Sequence, residues 1–194
     1  MVETDKYASG LIYYYQDYFS SYDGKIERVL EVGIYKGGFL YFLDTQLFKD
    51  RNVKYYGIDI KIANTDERLS ELIKDRRLVL FAANQNKTAQ LVACAEEIKQ
   101  DGLLDIVIDD GAHGFNECVN TFNTFWPLVR EGGFYFIEDW AAYMCYPDNP
   151  TYKSMRRVCD FILDNAKDSG FHDLEFIFHP APRFSVIAIR KNYV

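Results

Sequence analysis

Short apolar runs alternate with amphipathic stretches along most of this sequence, and that alternation restricts the possible folds more than any other feature. Five runs are predicted as buried strands: Arg28–Ile34, Val53–Ile60, Leu78–Ala82, Leu104–Asp110 and Gly132–Asp139. Helical periodicity follows each of them: Phe39–Phe48, Thr65–Lys74, Ala89–Lys99, Phe115–Val129 and Ser154–Ala166. Strands that alternate with helices predict a parallel sheet with helices on both faces.

The end of the chain breaks this alternation. Leu174–Phe178 and Phe184–Ile189 are both predicted as strands, and only His179–Arg183 lies between them. That connection is too short for a crossover helix, so the two strands are predicted to be antiparallel. The predicted fold is therefore α/β, with a mostly parallel seven-stranded sheet and a C-terminal antiparallel hairpin.

The length of 194 residues predicts one domain over residues 1–194. Its first part, residues 1–24, contains the aromatic-rich stretch Tyr7–Tyr22, which is predicted to be helical. This segment is expected to cover a site as a lid, to pack on the core, or to mediate a homo-oligomer.

Charge and composition exclude some classes of partner. The net charge of −7 disfavours nucleic acid as a substrate, because an acidic surface repels phosphates. The first residues are polar and no apolar run is long enough for a membrane span, so neither a signal peptide nor a membrane anchor is expected. The four cysteines form no C-x-x-C pair, which favours reduced thiols and a cytoplasmic location.

Glycines and acids follow the first two predicted strands, at the edge where ligands bind in open α/β sheets. The first strand leads into an E-x-G-x-x-x-G run with Glu31, Gly33, Tyr35 and Gly37. This run lacks the G-x-G-x-x-G pattern with which dinucleotide enzymes bind a pyrophosphate. The second strand contains Asp59 near its end, where a carboxylate can accept hydrogen bonds from both hydroxyls of a ribose.

The third strand is followed by Asn84 and Gln85, whose amides are placed to read the edge of an adenine. This assignment depends on position alone. Together with Asp59, the two amides predict a site for a nucleoside-containing cofactor.

Acids accumulate after the fourth and fifth strands. Asp109, Asp110 and His113 follow one strand, and Glu138 and Asp139 end the next. Packing four carboxylates at one edge is unfavourable unless a cation lies among them. Carboxylate oxygens favour Mg²⁺, with Mn²⁺ as the alternative. Three aromatic residues follow the acid pair and either stack on a substrate or pack locally: Trp140, Tyr143 and Tyr146.

The glycine run resembles the first motif of class I S-adenosylmethionine-dependent methyltransferases. The D-D-G-x-H and I-E-D motifs, at Asp109–His113 and Ile137–Asp139, resemble those of the metal-dependent O-methyltransferases of macrolide and aminocoumarin sugars, whose relatives include cephalosporin hydroxylase-like proteins. The resemblance covers roughly residues 28–143. It implies a Rossmann-like methyltransferase fold and S-adenosylmethionine as cofactor.

The resemblance also implies roles for individual residues. Asp110, Glu138 and Asp139 correspond to the metal ligands, His113 to the catalytic base, and Asp109 to a residue nearer the cofactor. Ala112 departs from the serine that is frequent in the family. The expected substrate is a hydroxyl of a small molecule, most readily a sugar or glycosylated metabolite.

Two alternatives remain open at this point. One is catechol-type O-methylation of an aromatic diol, which uses the same metal chemistry. The other is a non-catalytic homologue that binds S-adenosylmethionine without turnover.

Overall fold

Seven strands form one sheet in the order β3-β2-β1-β4-β5-β7-β6. The computed structural model describes residues 4–22, 24–49, 52–62, 66–166 and 168–193. Pairing is parallel from β3 through β5, whereas β7 is antiparallel to both β5 and β6. The strands are β1 (Arg28–Val32), β2 (Lys54–Asp59), β3 (Leu78–Ala82), β4 (Leu104–Asp109), β5 (Val129–Glu138), β6 (Phe171–Ile177) and β7 (Val186–Lys191). The predicted sheet and its terminal hairpin are confirmed.

Helices cover both faces of this sheet, as the alternation predicts. They are α1 (Asp5–Ser9), α2 (Leu11–Ser21), α3 (Gly38–Phe42), α4 (Ser70–Lys74), α5 (Thr88–Asp101), α6 (Phe115–Phe125) and α7 (Pro150–Asn165). One apolar cluster joins α2 and α3 to the sheet, and a second joins α5, α6 and α7 to the opposite face. Val29 and Leu30 are adjacent in β1 but lie in different clusters, because successive strand residues point to opposite faces.

Several helix boundaries differ from the prediction. The helix predicted over Phe115–Val129 ends at Phe125 and continues as a 3₁₀ turn, because Pro127 has no backbone N–H to donate. Val129 therefore begins β5. The predicted helix at Phe39–Phe48 is α-helical only to Phe42 and then forms a π-helical turn at Leu43–Leu47. The predicted start of the next helix, Thr65, lies outside the described residues.

The N-terminal segment contains two helices where the sequence predicts one. Gly10 separates them, with a φ of +82° that glycine adopts without strain. The buried side of α2 packs on the sheet through Leu11, Ile12, Tyr15 and Phe19. Packing on the core is thus one role of this segment, and oligomer formation through its exposed tyrosines stays a prediction.

No helix among the described residues is both long and apolar enough to cross a lipid bilayer.

Asp105, near the start of β4, is fully buried and anchors the amino ends of the strands. Its Oδ2 accepts backbone N–H bonds from Glu27 and Arg28, each at 2.8 Å. Its Oδ1 accepts the Tyr22 hydroxyl at 2.8 Å and lies 3.1 Å from Nε of Arg130. The carboxylate thus connects α2, β1 and β5 through β4.

We expect Asp105→Ala to lower the free energy of unfolding by about 3 kcal/mol or more, because it leaves buried donors and a cation without their acceptor. Chemical denaturation measures this loss. Asp164→Ala, on an exposed position of α7, is the matched control and should change stability by no more than about 0.5 kcal/mol. Equal losses in the two variants would contradict the anchoring role of Asp105.

Candidate active site

A cavity of about 710 Å³ opens at the carboxyl ends of β1, β4 and β5. The chain order of the strands reverses between β1 and β4, which is where ligands bind in open α/β sheets. Seven of the predicted site residues line this cavity: Glu31, Gly33, Tyr35, Asp110, His113, Glu138 and Asp139. Topology therefore brings together residues that are far apart in sequence.

A second cavity of about 310 Å³ adjoins the first, at the ends of β1, β2 and β3. Five of its lining residues are predicted cofactor contacts: Gly33, Tyr35, Asp59, Asn84 and Gln85. Gly33, Tyr35 and Asp110 line both cavities, so the two spaces meet at the glycine loop.

The glycine loop after β1 approaches the loop after β4 too closely for a side chain. Gly33 has a φ of +90°, and a Cβ atom there would lie 2.1 Å from the carbonyl oxygen of Asp110. Asp59 holds the loop from the other side, because its Oδ2 accepts the Tyr35 N–H at 2.9 Å. Gly37 lines neither cavity but precedes α3 with a φ of +79°, whereas Gly38 lines the larger one.

Four of the carboxylates that line the larger cavity come from the strand ends and the loops that follow them. Glu31 and Glu138 are buried, and Asp110 and Asp139 are partly exposed. Burial raises the pKa of Glu31 to about 8, and the neighbouring charge of Asp110 also raises it. Burial and Asp110 raise the pKa of Asp139 to about 8 as well, and they raise that of Glu138 well above its usual range. The cluster therefore requires a positive charge to hold its acids ionised.

That charge comes from Lys6 in α1, which the sequence did not indicate. Only 3% of the Lys6 side chain is exposed, and its ammonium donates to Asp110. Its Nζ lies 3.3 Å from Oε1 of Glu138 and 4.0 Å from Oε1 of Glu31. Burial alone would lower the pKa of Lys6, but the three carboxylates raise it well above its usual value.

His113 lines the same cavity and lies beside two of these acids. Its Nε2 is 3.7 Å from Oδ1 of Asp110 and 3.7 Å from Oδ2 of Asp139. The imidazole stacks on Tyr152 with ring centroids 5.9 Å apart and an interplanar angle of 17°. Burial lowers the pKa of His113, so the imidazole is neutral and able to accept a proton near pH 7.

Backbone strain concentrates at this cavity. Among the described residues, four that are not glycine have a positive φ, and Tyr35, His113 and Asp139 of these line the larger cavity. Such conformations cost energy and persist where the surrounding structure enforces them, which is frequent at functional sites.

Asp109 and Gln85 have structural roles at the smaller cavity, which Gln85 lines. Asp109 is buried and lines neither cavity. Gln85 donates to Oδ1 of Asp109 and to the Thr121 hydroxyl, both at 2.8 Å, and accepts the Ala112 N–H at 2.7 Å. Its amide thereby braces the loop after β4. A direct cofactor contact by either residue stays a prediction.

Asn84 and the aromatic residues after Asp139 have different surroundings. The Oδ1 of Asn84 accepts the N–H of Asn86 at 2.9 Å. Trp140 packs against Phe176 and Phe178 instead of lining the cavity. Tyr146 does line it, together with residues that sequence reasoning missed: Phe39, Tyr152, Arg183 and Phe184. These come from distant segments, and no local pattern marked them.

Comparison with known proteins places this geometry in a family. The profile of a methyltransferase domain matches residues 30–140, which contain the glycine loop and both acidic motifs. Demethylmacrocin O-methyltransferase of Streptomyces fradiae is 37% identical over 67% of this chain and 32% of its own length. Mycinamicin VI 2''-O-methyltransferase of Micromonospora griseorubida is 33% identical over 67% of this chain and 31% of its own. The chain spans about a third of the length of these curated relatives.

Solved structures share the fold. MycE methyltransferase in complex with Mg, SAH and mycinamycin VI superposes with a TM-score of 0.68 and 26% identity, covering 92% of this chain and 48% of that one. A putative rRNA-methylase from Clostridium thermocellum has a TM-score of 0.67 at 16% identity and covers 94% of this chain and 96% of its own, which shows the fold alone. With its matching profile over more than half of its length, this chain belongs to the methyltransferase-domain family.

Proposed function

We propose that this protein transfers a methyl group from S-adenosylmethionine to a hydroxyl of a glycosylated small molecule. The observation that carries the proposal is the meeting of two cavities at Gly33, Tyr35 and Asp110. One cavity has the features of a nucleoside site, and the other holds a histidine among carboxylates. A methyl donor that spans both would present its reactive carbon to the acidic cavity.

The smaller cavity suits the adenosine half of the cofactor. Asp59 lines it and accepts one backbone N–H on each carboxylate oxygen, from Tyr35 at 2.9 Å and Lys61 at 3.0 Å. Each oxygen keeps further lone-pair capacity for a ribose hydroxyl. The methionine half would then lie along the glycine loop, where the buried Glu31 carboxylate favours a positively charged sulfonium.

A divalent ion fits the donor chemistry of the larger cavity. Asp110, Glu138 and Asp139 supply the hard oxygen ligands that Mg²⁺ or Mn²⁺ prefers. One buried oxygen, Oε2 of Glu31, has no hydrogen-bond partner. Around Lys6, however, the described histidine, cysteine and carboxylate side chains do not form a group of three or more that could hold a metal ion. When bound, the ion would supply Lewis acidity that makes a substrate hydroxyl easier to deprotonate.

His113 is the proposed general base. Its neutral imidazole accepts the hydroxyl proton, and the resulting alkoxide oxygen bonds to the methyl carbon as the carbon–sulfur bond breaks. The products are the methyl ether and S-adenosylhomocysteine, and His113 releases its proton to water. Because the sulfonium is already reactive, the protein contributes mainly by positioning the two reactants.

The rim of the larger cavity suits a sugar. Tyr146 and Tyr152 lie with ring centroids 5.0 Å apart, and Arg183 adds a cation at the same rim. Aromatic faces pack on the apolar faces of sugar rings, and a guanidinium donates hydrogen bonds to their hydroxyls. The names of the curated relatives, which include methyltransferases of mycinamicin VI and of rhamnosyl tetracenomycin C, support a glycosylated acceptor.

We expect residues 1–194 to form one methyltransferase domain in the cytoplasm. A catechol-type acceptor would be recognised by turnover of aromatic diols in preference to glycosides in an acceptor panel.

We expect His113→Ala to lower methyl transfer from labelled S-adenosylmethionine by roughly 10²- to 10⁴-fold, because it removes the general base. The readout is product formation on a panel of glycosylated polyketides, with binding of S-adenosylhomocysteine unchanged. His172→Ala, at an exposed site in β6, is the matched control. Turnover near that of wild type in His113→Ala would remove the assigned role.

Asp59→Asn should weaken binding of S-adenosylhomocysteine roughly 10- to 100-fold, since the ribose hydroxyls lose a charged acceptor. Isothermal titration calorimetry measures the affinity, and thermal denaturation reports on the loop that Asp59 also holds. Asp164→Asn serves as the control for charge. An unchanged affinity in Asp59→Asn would exclude Asp59 from the nucleoside site.

A further inference from the structure

Lys6 occupies the point where three neighbouring strands deliver their carboxylates. Glu31 comes from β1, Asp110 from the loop after β4, and Glu138 from β5, and the ammonium is within ion-pair distance of all three. The Phe39 ring lies 4.8 Å from Nζ and completes the enclosure. The Lys6 ammonium therefore occupies the position at which these carboxylates would bind a divalent ion.

The helix that carries Lys6 has few other attachments. In the five-residue α1, Lys6 is the buried residue, while Asp5, Tyr7 and Ala8 are exposed. Thr4 makes no capping bond through its side chain, and Gly10 follows as a hinge with a φ of +82°. Other contacts of the described segment include a hydrogen bond between Nε2 of His179 and the Ser9 carbonyl at 3.0 Å, a hydrogen bond from the Leu11 N–H to Oγ of Ser9 at 3.3 Å, and a ring contact of Tyr7 with Phe42.

Such a helix is not stable by its own hydrogen bonds, because isolated helices this short are marginal in water. Its position depends largely on the ion pairs of Lys6. By contrast, α2 is fixed to the core by Leu11, Ile12, Tyr15 and Phe19. A rotation at Gly10 would therefore move α1 and leave the core contacts of α2 in place.

We propose that Lys6 competes with the divalent ion for the acid cluster, so that metal binding displaces the ammonium and releases α1 from the cavity. This inference rests on the metal site of the proposed function. A divalent ion on these carboxylates would compete with the ammonium for the same oxygen lone pairs. The two cations also repel each other in a buried site.

The competition has a consequence for access to the cavity. Thr4, Asp5 and Lys6 are part of its lining, so departure of α1 widens the space in front of His113. Metal binding would then be coupled to the opening of the cavity toward the acceptor substrate. Before metal arrives, Lys6 stabilises acids that would otherwise lie buried without a counter-ion.

The direct test is a titration with Mn²⁺, followed by the loss of the free-ion signal in electron paramagnetic resonance. Lys6→Met should bind Mn²⁺ roughly 10- to 100-fold more tightly than wild type, because the internal competitor is gone. Lys6→Arg should retain the weak binding of wild type. Lys36→Met, which removes an exposed charge from the nearby glycine loop, is the matched control and should differ from wild type by only a few-fold.

The outcomes separate this inference from the proposed metal site. Equal Mn²⁺ affinities in wild type and Lys6→Met, both abolished by Asp110→Asn, would overturn the competition and leave the metal site intact. Absence of binding in both, with folded protein by circular dichroism, would overturn the metal site and the competition together.

A second measurement uses unaltered protein, in case Lys6→Met fails to fold. Hydrogen exchange with mass spectrometric detection should show faster exchange in residues 5–9 when Mg²⁺ is added, while α2 stays protected. Unchanged or slower exchange in α1 at saturating Mg²⁺ would contradict displacement of Lys6.

Discussion

Repulsion among buried carboxylates at the carboxyl edge of the sheet is the constraint that organises this site. Glu31 and Glu138 are almost fully buried, and Asp110 and Asp139 lie beside them. Such a group stays ionised near neutral pH only with a cation in its midst. Lys6 meets this need, and its ion pairs hold the N-terminal helix over the cavity. The same requirement supports the proposed divalent ion.

The parallel sheet supplies the geometry that this chemistry needs. Because β1, β4 and β5 are adjacent and point the same way, the residues that follow them meet at one edge. The loops there are held by strained or close-packed backbone, with Gly33 against Asp110 and with His113 at a φ of +49°. Gln85 and Asp59 brace these loops from below and from the side. The proposed cofactor and base are thus positioned by main-chain structure.

The sequence predicts the parts of this arrangement that have local signals. Apolar runs and the short link from His179 to Arg183 predict the strands and the antiparallel hairpin, which the structure confirms. The acids after β4 and β5 predict a charged edge. Lys6 has no such signal, since a lysine in a polar N-terminal stretch is usually solvated and its partners lie far along the chain. The amide of Gln85 donates to Asp109 and Thr121, and the sequence does not predict these bonds because they depend on tertiary packing.

The most direct test of the methyltransferase assignment is calorimetric titration of the protein with S-adenosylhomocysteine, with NAD as the comparison ligand. We expect micromolar binding of S-adenosylhomocysteine and none of NAD, because the glycine loop lacks the dinucleotide pattern and faces a buried carboxylate. No binding of S-adenosylhomocysteine at millimolar concentration, with the protein folded, would contradict it.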